Sequence, residues 1–218
     1  MFVDVYGYPV GIFEPFSRDQ VSQIRHKIND FFEREENKSV LKNVHWNANC
    51  LTTAPDGHGK GMIGEKAHDD EILSAVNRCM SEYQSKLGLS LDVSMYRCKR
   101  DDCKEGCPPD IWLNVYRKGD SQEAHWHHGE DTGCVFGFVY FVQYDPERDG
   151  RFMFLNPAPD LKVVGLEECP AFQREFAPSV REGSLMIFPA FMLHRVSEQE
   201  NDERERITFA GNYYARYY

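Results

Sequence analysis

The sequence predicts an α+β domain, mainly β, in which two N-terminal helices precede a sandwich or barrel of short strands. Apolar residues repeat at helical spacing twice before residue 90 and at strand spacing after it, and turn residues interrupt the strand segments at short intervals. A chain of 218 residues with 41% hydrophobic residues is long enough for one substantial core. We therefore expect a single domain over 1–218, with a helical layer over 1–90 and a β core over 91–218.

Two helices are predicted in the first 90 residues. Ser17 can cap a helix over about 18–35, because its hydroxyl can accept a hydrogen bond from a free backbone N–H of the first turn. A second helix begins at Asp69 and stops near Gly88, a residue type common at helix ends. The apolar faces consist of Val21, Ile24, Ile28, Phe31 and Phe32 in the first helix, and Ile72, Val76, Met80 and Tyr83 in the second. The glycine-rich stretch 55–64 between them is typical of a loop.

The remainder of the chain has strand periodicity. The predicted strands are 91–98, 111–117, 134–143, 151–155, 173–177, 184–188, 192–197 and 206–214. Turns are expected at 118–120, 149–150 and 182–183, since each contains glycine. Many short strands at such spacing are typical of a sandwich or barrel, and we expect the helices to pack on one face of it.

Charge and cysteine content narrow the function classes. The formal charge of −10 argues against a nucleic-acid partner, because an acidic chain repels phosphate backbones. No apolar window of about 18 residues is present, so we expect no membrane span. The N-terminus lacks the basic head of a signal peptide, and the seven cysteines are an odd number, so we expect reduced thiols and a cytoplasmic location. Cys98, Cys103 and Cys107 form either a loop of such thiols or an incomplete zinc loop.

The segment around residues 125–128 contains the most distinctive residues. On a strand, residues i and i+2 point the same way, so His125 and His127 would share one face about 7 Å apart, and His128 would face the other side. A third ligand can come from His194, which follows the apolar strand 185–188. The alternative is that His194 is a core histidine whose ring is satisfied by hydrogen bonds. Arg206 and Thr208 lie two residues apart on one strand, so their guanidinium and hydroxyl can together bind a dicarboxylate. The alternative is that Arg206 pairs with Glu203 or Glu205.

These motifs resemble a known superfamily. His-x-His at 125–127, Gly-Ser-Leu-x-x-Phe-Pro-x-x-x-x-His-x-Val at 183–196 and Arg-Ile-Thr at 206–208 are similar to motifs of the iron(II)/2-oxoglutarate-dependent oxygenases. Within it, they most resemble a 2OG-Fe(II) oxygenase family with an Asn-x-Tyr strand and a His-x-His pair. The resemblance covers about 111–214 and implies a double-stranded β-helix, that is, a cupin-like jelly roll.

The resemblance also implies roles for individual residues. The iron(II) ligands would be His125, His127 and His194. The 2-oxoglutarate site would comprise Arg206, Thr208, Tyr116 and Asn114. One departure from the superfamily is that His127 stands where a carboxylate is usual, and Glu130 or Asp131 is the alternative source of one.

The function implied is hydroxylation of a small molecule or a side chain, with release of succinate and CO2. The alternatives are a three-histidine cupin-type dioxygenase that needs no 2-oxoglutarate, and a non-catalytic jelly-roll module that binds metal. We expect a small-molecule substrate and neither a nucleic acid nor a membrane as partner, and the sequence leaves a homodimer open.

Overall fold

A computed structural model describes residues 1–34, 41–43, 48–53, 70–95, 109–127, 133–157 and 173–215. Within these ranges the elements are, in chain order, β1 (Phe2–Val5), β2 (Tyr8–Phe13), α1 (Arg18–Glu33), β3 (Lys42–Asn43), β4 (Ala48–Asn49), β5 (Leu51–Thr52), α2 (Asp70–Lys86), β6 (Val93–Ser94), β7 (Ile111–Tyr116), β8 (Ser121–His125), β9 (Cys134–Gln143), β10 (Phe152–Leu155), β11 (Glu175–Phe176), β12 (Leu185–Pro189), β13 (His194–Val196) and β14 (Arg206–Ala215).

The strands form two antiparallel sheets. The larger sheet has the order β1-β2-β12-β9-β14-β7-β5-β3, and β6 pairs with β14. The smaller sheet has the order β11-β10-β13-β8-β4. Strands that are distant in sequence lie side by side in both sheets, which is how β7, β8, β13 and β14 come to surround one cavity.

Both faces of the larger sheet are buried. Along β9, Val139 and Phe141 pack into the core between the two sheets, whereas Phe138 and Tyr140 pack into the core beneath the helices. A strand buried on both faces is apolar almost throughout, as 134–143 is. The fold is therefore the mainly β double-stranded β-helix expected, with its N-terminal helices packed on one sheet.

The helices form where the sequence predicts them. Ser17 caps α1 in a reciprocal capping box with Gln20, and Ile24 and Ile28 are its buried residues. Helix α2 is followed by Gly88 at φ +67°, as expected for a glycine that ends a helix. Its expected start, Asp69, and the loop 55–64 lie outside the described residues.

The N-terminal hairpin was not predicted. Strands β1 and β2 pair from Phe2 with Gly11 to Val5 with Tyr8, and β2 extends the larger sheet beside β12. The two-residue turn needs positive φ at both positions, which Tyr6 (56°) and Gly7 (84°) supply. Tyrosine is not a typical residue for such a turn, so the local sequence gives no hairpin signal. The layer 1–90 expected to be helical therefore also contributes strands.

Several predicted strands are shorter in the structure. The segments 173–177 and 192–197 contain only β11 and β13, and within the described part of 91–98 only Val93–Ser94 is strand. Within the described part of the chain, neither helix combines the length and apolar character needed to cross a lipid bilayer.

Candidate metal and cosubstrate site

Three histidines from different strands and loops converge at one end of the smaller sheet. His125 ends β8 and His194 begins β13, and the two are direct cross-strand partners. His127 follows β8, and its backbone N–H donates to the carbonyl of Ala190 at 2.9 Å. The ligand-capable nitrogens of the three rings all lie within 4.8 Å of one another, and Nε2 of His127 is 3.3 Å from Nε2 of His194.

The assumption that His125 and His127 lie on one strand is wrong. The ladder of β8 ends at His125, and the chain bends at His127. The ring of His127 is placed by tertiary contacts, since it stacks on Trp112 (centroids 5.8 Å apart, 13° between planes) and is nearly parallel to His194 (5.1 Å, 14°). The two imidazoles meet because of these contacts and not because of strand alternation.

Backbone carbonyls set the tautomers of two of the rings. Nδ1 of His125 lies 2.9 Å from the carbonyl of Glu123, and Nδ1 of His194 lies 2.8 Å from the carbonyl of Met192. A carbonyl oxygen only accepts, so Nδ1 carries the proton in both rings and Nε2 keeps its lone pair. An Nε2 lone pair aimed into the cluster is what a metal ligand requires.

The three imidazoles are held in their neutral forms. Burial lowers the pKa of all three rings, and mutual repulsion lowers it further for His127 and His194. The pKa of His127 falls to about 3, because burial and the neighbouring His125 outweigh the opposite effect of the Asn212 side chain. His194 is completely enclosed, with Phe152 stacked on its ring (5.0 Å, 18°). All three can therefore bind a cation at neutral pH without first losing a proton.

A buried guanidinium lies in the same cavity. Arg206 is 1% exposed, pairs with Tyr116 across β14 and β7, and has its Cζ 4.7 Å from the centre of the Tyr116 ring. Its Nε, Nη1 and Nη2 atoms are buried, and among the described residues none accepts a hydrogen bond of full geometry from them. The Tyr116 hydroxyl is the group that interacts with the guanidinium most directly. The alternative partners are engaged elsewhere, since Glu203 pairs with Arg148 and Glu205 with Arg117, each at 2.7 Å. A buried cation without an acceptor is costly unless a ligand supplies one.

The other predicted cosubstrate residues line the same cavity. Asn114 faces Thr208 in the register of β7 and β14. The residues that line the cavity include the three histidines, Arg206, Thr208, Tyr116 and Asn114. The structure therefore brings together every residue that the sequence proposed for the site.

Several residues of the site were missed. Gln122 accepts a hydrogen bond from the Tyr116 hydroxyl at 2.8 Å, and its Nε2 lies 3.5 Å from Nε2 of His125. From the larger sheet, Trp112 stacks on the His127 ring, and the side chain of Asn212 acts to raise the pKa of His127. A polar residue three positions before His125 is a weak local signal for Gln122, and no local signal exists for the other two. His128, Glu130, Asp131 and the three loop cysteines, Cys98, Cys103 and Cys107, lie outside the described residues.

The fold and the site together define a class of structure: a cupin-like jelly roll with three clustered imidazoles that could hold a metal ion, beside a buried arginine. Residues 110–212 match a family model described as "Putative 2OG-Fe(II) oxygenase". No curated protein sequence matches the chain.

Solved structures share the fold over nearly the whole chain. A Pseudomonas putida prolyl-4-hydroxylase is 14% identical, with a TM-score of 0.61 over 98% of this chain and 96% of that one. A Trichoplax adhaerens prolyl hydroxylase, in complex with a hypoxia inducible factor peptide fragment, is 12% identical, with a TM-score of 0.63 over 94% and 83%. A Burkholderia pseudomallei oxidoreductase of the 2OG-Fe(II) oxygenase family is 11% identical, with a TM-score of 0.60 over 94% and 84%.

Over residues 110–212, the sequence is similar to the iron(II)/2-oxoglutarate-dependent oxygenases. The solved structures share the fold of the whole chain. The matched family implies an oxidoreductase that uses Fe(II) and 2-oxoglutarate, and the three clustered histidines could hold such a metal ion.

Proposed function

We propose that the chain is a hydroxylase in which His125, His127 and His194 bind iron(II) and Arg206 binds the far carboxylate of 2-oxoglutarate. The observation that carries this proposal is the buried guanidinium of Arg206, which lies in the histidine-lined cavity without an acceptor among the described residues. Neither a structural metal site nor a dioxygenase that needs no oxoacid would explain a buried cation there.

The residues present suit both groups. Two imidazole ligands of one ion, each bonded at about 2.1 Å, can be at most about 4.2 Å apart, and the 3.3 Å between Nε2 of His127 and of His194 satisfies this. Imidazole accepts several metals, so the choice of iron rests on the superfamily. A planar guanidinium matches a carboxylate through two parallel hydrogen bonds, and the hydroxyl of Thr208 lies two residues along on the same strand face as Arg206.

The protein's own residues have binding, orienting and shielding roles. The Tyr116 ring supports one face of the Arg206 guanidinium, and the Tyr116 hydroxyl holds Gln122 beside His125. Asn114 is available to the cosubstrate or to the substrate. Burial keeps water away from Arg206 and His194, which strengthens each charge-assisted contact made there. With both cofactors bound, one atom of O2 is inserted into a substrate C–H bond while 2-oxoglutarate is oxidised to succinate and CO2.

An all-histidine triad has an electrostatic consequence. Neutral imidazoles leave the full double positive charge of a bound Fe(II) ion uncompensated, and the dianionic cosubstrate supplies the compensation. We therefore expect metal and 2-oxoglutarate to increase each other's affinity, since such coupling is reciprocal.

The substrate class we propose is a small molecule or an amino-acid side chain. Two of the structural neighbours are prolyl hydroxylases, so prolyl peptides belong among the first substrates to be tested. The formal charge of −10 argues against a nucleic-acid substrate. A homodimer is compatible with all of these roles.

An anaerobic titration tests the proposal. 2-Oxoglutarate is added to the Fe(II)-loaded protein, and the visible charge-transfer band of the chelate is recorded, followed by admission of O2 and measurement of succinate. We expect a saturable band and slow succinate release even without substrate. In Arg206→Met, both should be lost at the 2-oxoglutarate concentration that just saturates the parent protein. Absence of both in the parent protein would favour the oxoacid-independent dioxygenase, and metal binding without oxygen consumption would favour a non-catalytic module.

A further inference from the structure

The His127 ring is positioned differently from the other two metal-site rings. His125 and His194 each direct Nδ1 at the carbonyl of the residue two positions earlier, at 2.9 and 2.8 Å. His127 lies beyond the end of β8, and its Nε2 faces His194. On the opposite sheet, Ala210 of β14 lines the cavity with His127, and Asn212 lies two residues further along the same strand face. The Asn212 side chain also acts to raise the pKa of His127, as a hydrogen-bond partner of the ring would. One ring of the triad therefore depends on a side chain for its orientation.

Asn212 is itself held in a single orientation. Its Nδ2 donates to Oδ2 of Asp110 at 2.9 Å, and its backbone N–H donates to the carbonyl of Asp110 at 3.0 Å. Both side chains are buried, and the Tyr214 hydroxyl donates to the same carboxylate oxygen. Because Asp110 takes the amide nitrogen, Oδ1 of Asn212 must point away from it. This Oδ1 atom is buried and has no partner of full hydrogen-bond geometry among the described residues.

We infer that Asp110, Tyr214 and Asn212 form a relay that positions His127 for metal binding. In this relay, Nδ1–H of His127 donates a hydrogen bond to Oδ1 of Asn212, so that the Nε2 lone pair is presented to the ion. The inference rests on the proposed function, because it takes His127 as a ligand. It also connects the carboxylate of Asp110 to His127 through the side-chain amide of Asn212. Such outer partners fix the tautomer and the angle of a ligating imidazole.

The competing explanation is that the Asp110–Asn212 pair only joins the start of β7 to β14. The chain contains a matched example of such a purely structural pair. Asn201 is buried and donates from Nδ2 to Oδ1 of the buried Asp149 at 2.9 Å, in a network that contains no metal-site histidine. Asn212→Leu and Asn201→Leu therefore remove comparable buried hydrogen bonds, and only the first touches the proposed relay.

The test uses Co(II) alone, titrated into the metal-free full chain against a competing chelator. We expect Asn212→Leu to weaken Co(II) binding by about 10- to 100-fold, as for other outer partners of metal ligands, and Asn201→Leu to change it by less than about twofold. Asp110→Asn and Tyr214→Phe leave Asn212 in place but loosen it, so both should weaken binding in the same direction by a smaller factor. Thermal unfolding of each metal-free variant measures the structural contribution separately.

Proton NMR of the Co(II) protein supplies a second readout. The parent protein should show one shifted, slowly exchanging Nδ1–H signal for each of the three rings. In Asn212→Leu one of the three should move and exchange rapidly, while Asn201→Leu retains all three. If Asn212→Leu does not fold, Tyr214→Phe and Asp110→Asn decide by the same measurements.

The outcomes separate the relay from the function on which it rests. Unchanged Co(II) affinity and three unchanged signals in the relay variants would overturn the relay and leave the metal site intact. If the parent protein fails to bind Co(II), or if His194→Ala binds it equally well, the proposed metal site is wrong and the relay is wrong with it.

Discussion

Replacing Arg206 with methionine should stabilise the cofactor-free protein and weaken its binding of 2-oxoglutarate. Methionine is an unbranched side chain that can fill much of the space of the arginine stem without its charge. In the structure, the guanidinium is 1% exposed and meets aromatic rings but no acceptor among the described residues. The cofactor-free protein therefore bears the cost of a buried charge that is compensated only when a carboxylate binds.

The two magnitudes follow from the burial of Arg206. Exchanging buried charged groups for apolar ones commonly stabilises a protein by about 1–4 kcal/mol, and the cation–π contact with Tyr116 keeps the expected gain near the lower end. Each kcal/mol corresponds to a rise of about 2–4 °C in Tm for a chain of this size. Truncating one partner of a buried charge pair costs about 2–5 kcal/mol of binding, so 2-oxoglutarate should bind about 30- to 4000-fold more weakly.

The assay measures both quantities on the same preparation. Thermal unfolding in the presence of a chelator gives the stability of the cofactor-free protein, and an anaerobic titration of the Fe(II) protein gives the affinity for 2-oxoglutarate. Co(II) or Mn(II) affinity should stay unchanged, since Arg206 is not a proposed ligand. Arg148→Met is the matched control, because that arginine pairs with Glu203 at the surface, where solvent screens the pair, and both measured quantities should stay nearly unchanged.

The proposed role of Arg206 is wrong if neither the stability nor the cosubstrate affinity changes in the expected direction. If Arg206→Met lowered Tm and left the affinity for 2-oxoglutarate unchanged, the guanidinium would be a structural cation with an acceptor of its own. The cosubstrate would then have to bind elsewhere.

Three further predictions concern the histidines. His194→Ala should lower Co(II) affinity by more than about 100-fold, and affinity within threefold of the parent would remove His194 from the ligand set. His127→Asp introduces the carboxylate usual in the superfamily, so it should keep metal binding and succinate release, and a loss as complete as that of His127→Ala would argue against a ligand at this position. The metal-free protein should lose stability as pH falls below about 6.5, because the unfolded imidazoles take up protons there that the folded rings, whose pKa values burial lowers, do not. For His127 this loss continues towards its folded pKa of about 3, by up to about 1.4 kcal/mol per pH unit, and urea unfolding at pH 7 and pH 5 should give a smaller difference for His127→Leu.

The sequence predicted those helices and strands whose characteristic pattern lies within one short segment of the chain. The Ser17 capping box and the apolar repeat of α1 lie within one short segment, and so does the continuous apolar run of β9. The N-terminal hairpin escaped detection because its turn places Tyr6 at positive φ, a conformation that the neighbouring strands impose. Its existence depends on pairing with β12, about 170 residues away in sequence.

The absence of an ion-pair partner for Arg206 among the described residues could not be predicted from its neighbours in sequence either. Its sequence neighbours Glu203 and Glu205 are natural partners for an arginine. In the structure both are directed instead to Arg148 and Arg117, because residue 206 begins a buried strand while the two glutamates remain in the loop before it. The free buried guanidinium, on which the cosubstrate assignment depends, follows from the path of the chain.

The sequence identified the residues that could bind a metal and an oxoacid. Its strand periodicity predicted a sandwich or barrel, and the resemblance of its motifs to the oxygenase superfamily implied a jelly roll. The position of the His127 ring relative to the other two histidines follows only from tertiary contacts. His127 lies past the end of its strand, held by the Ala190 carbonyl and the Trp112 ring, which come from two distant parts of the chain. Asn212, which we infer to orient the ring, lies on a third. Spacing along a chain fixes the direction of a side chain only within one regular element, and the contacts that orient His127 begin where that element ends.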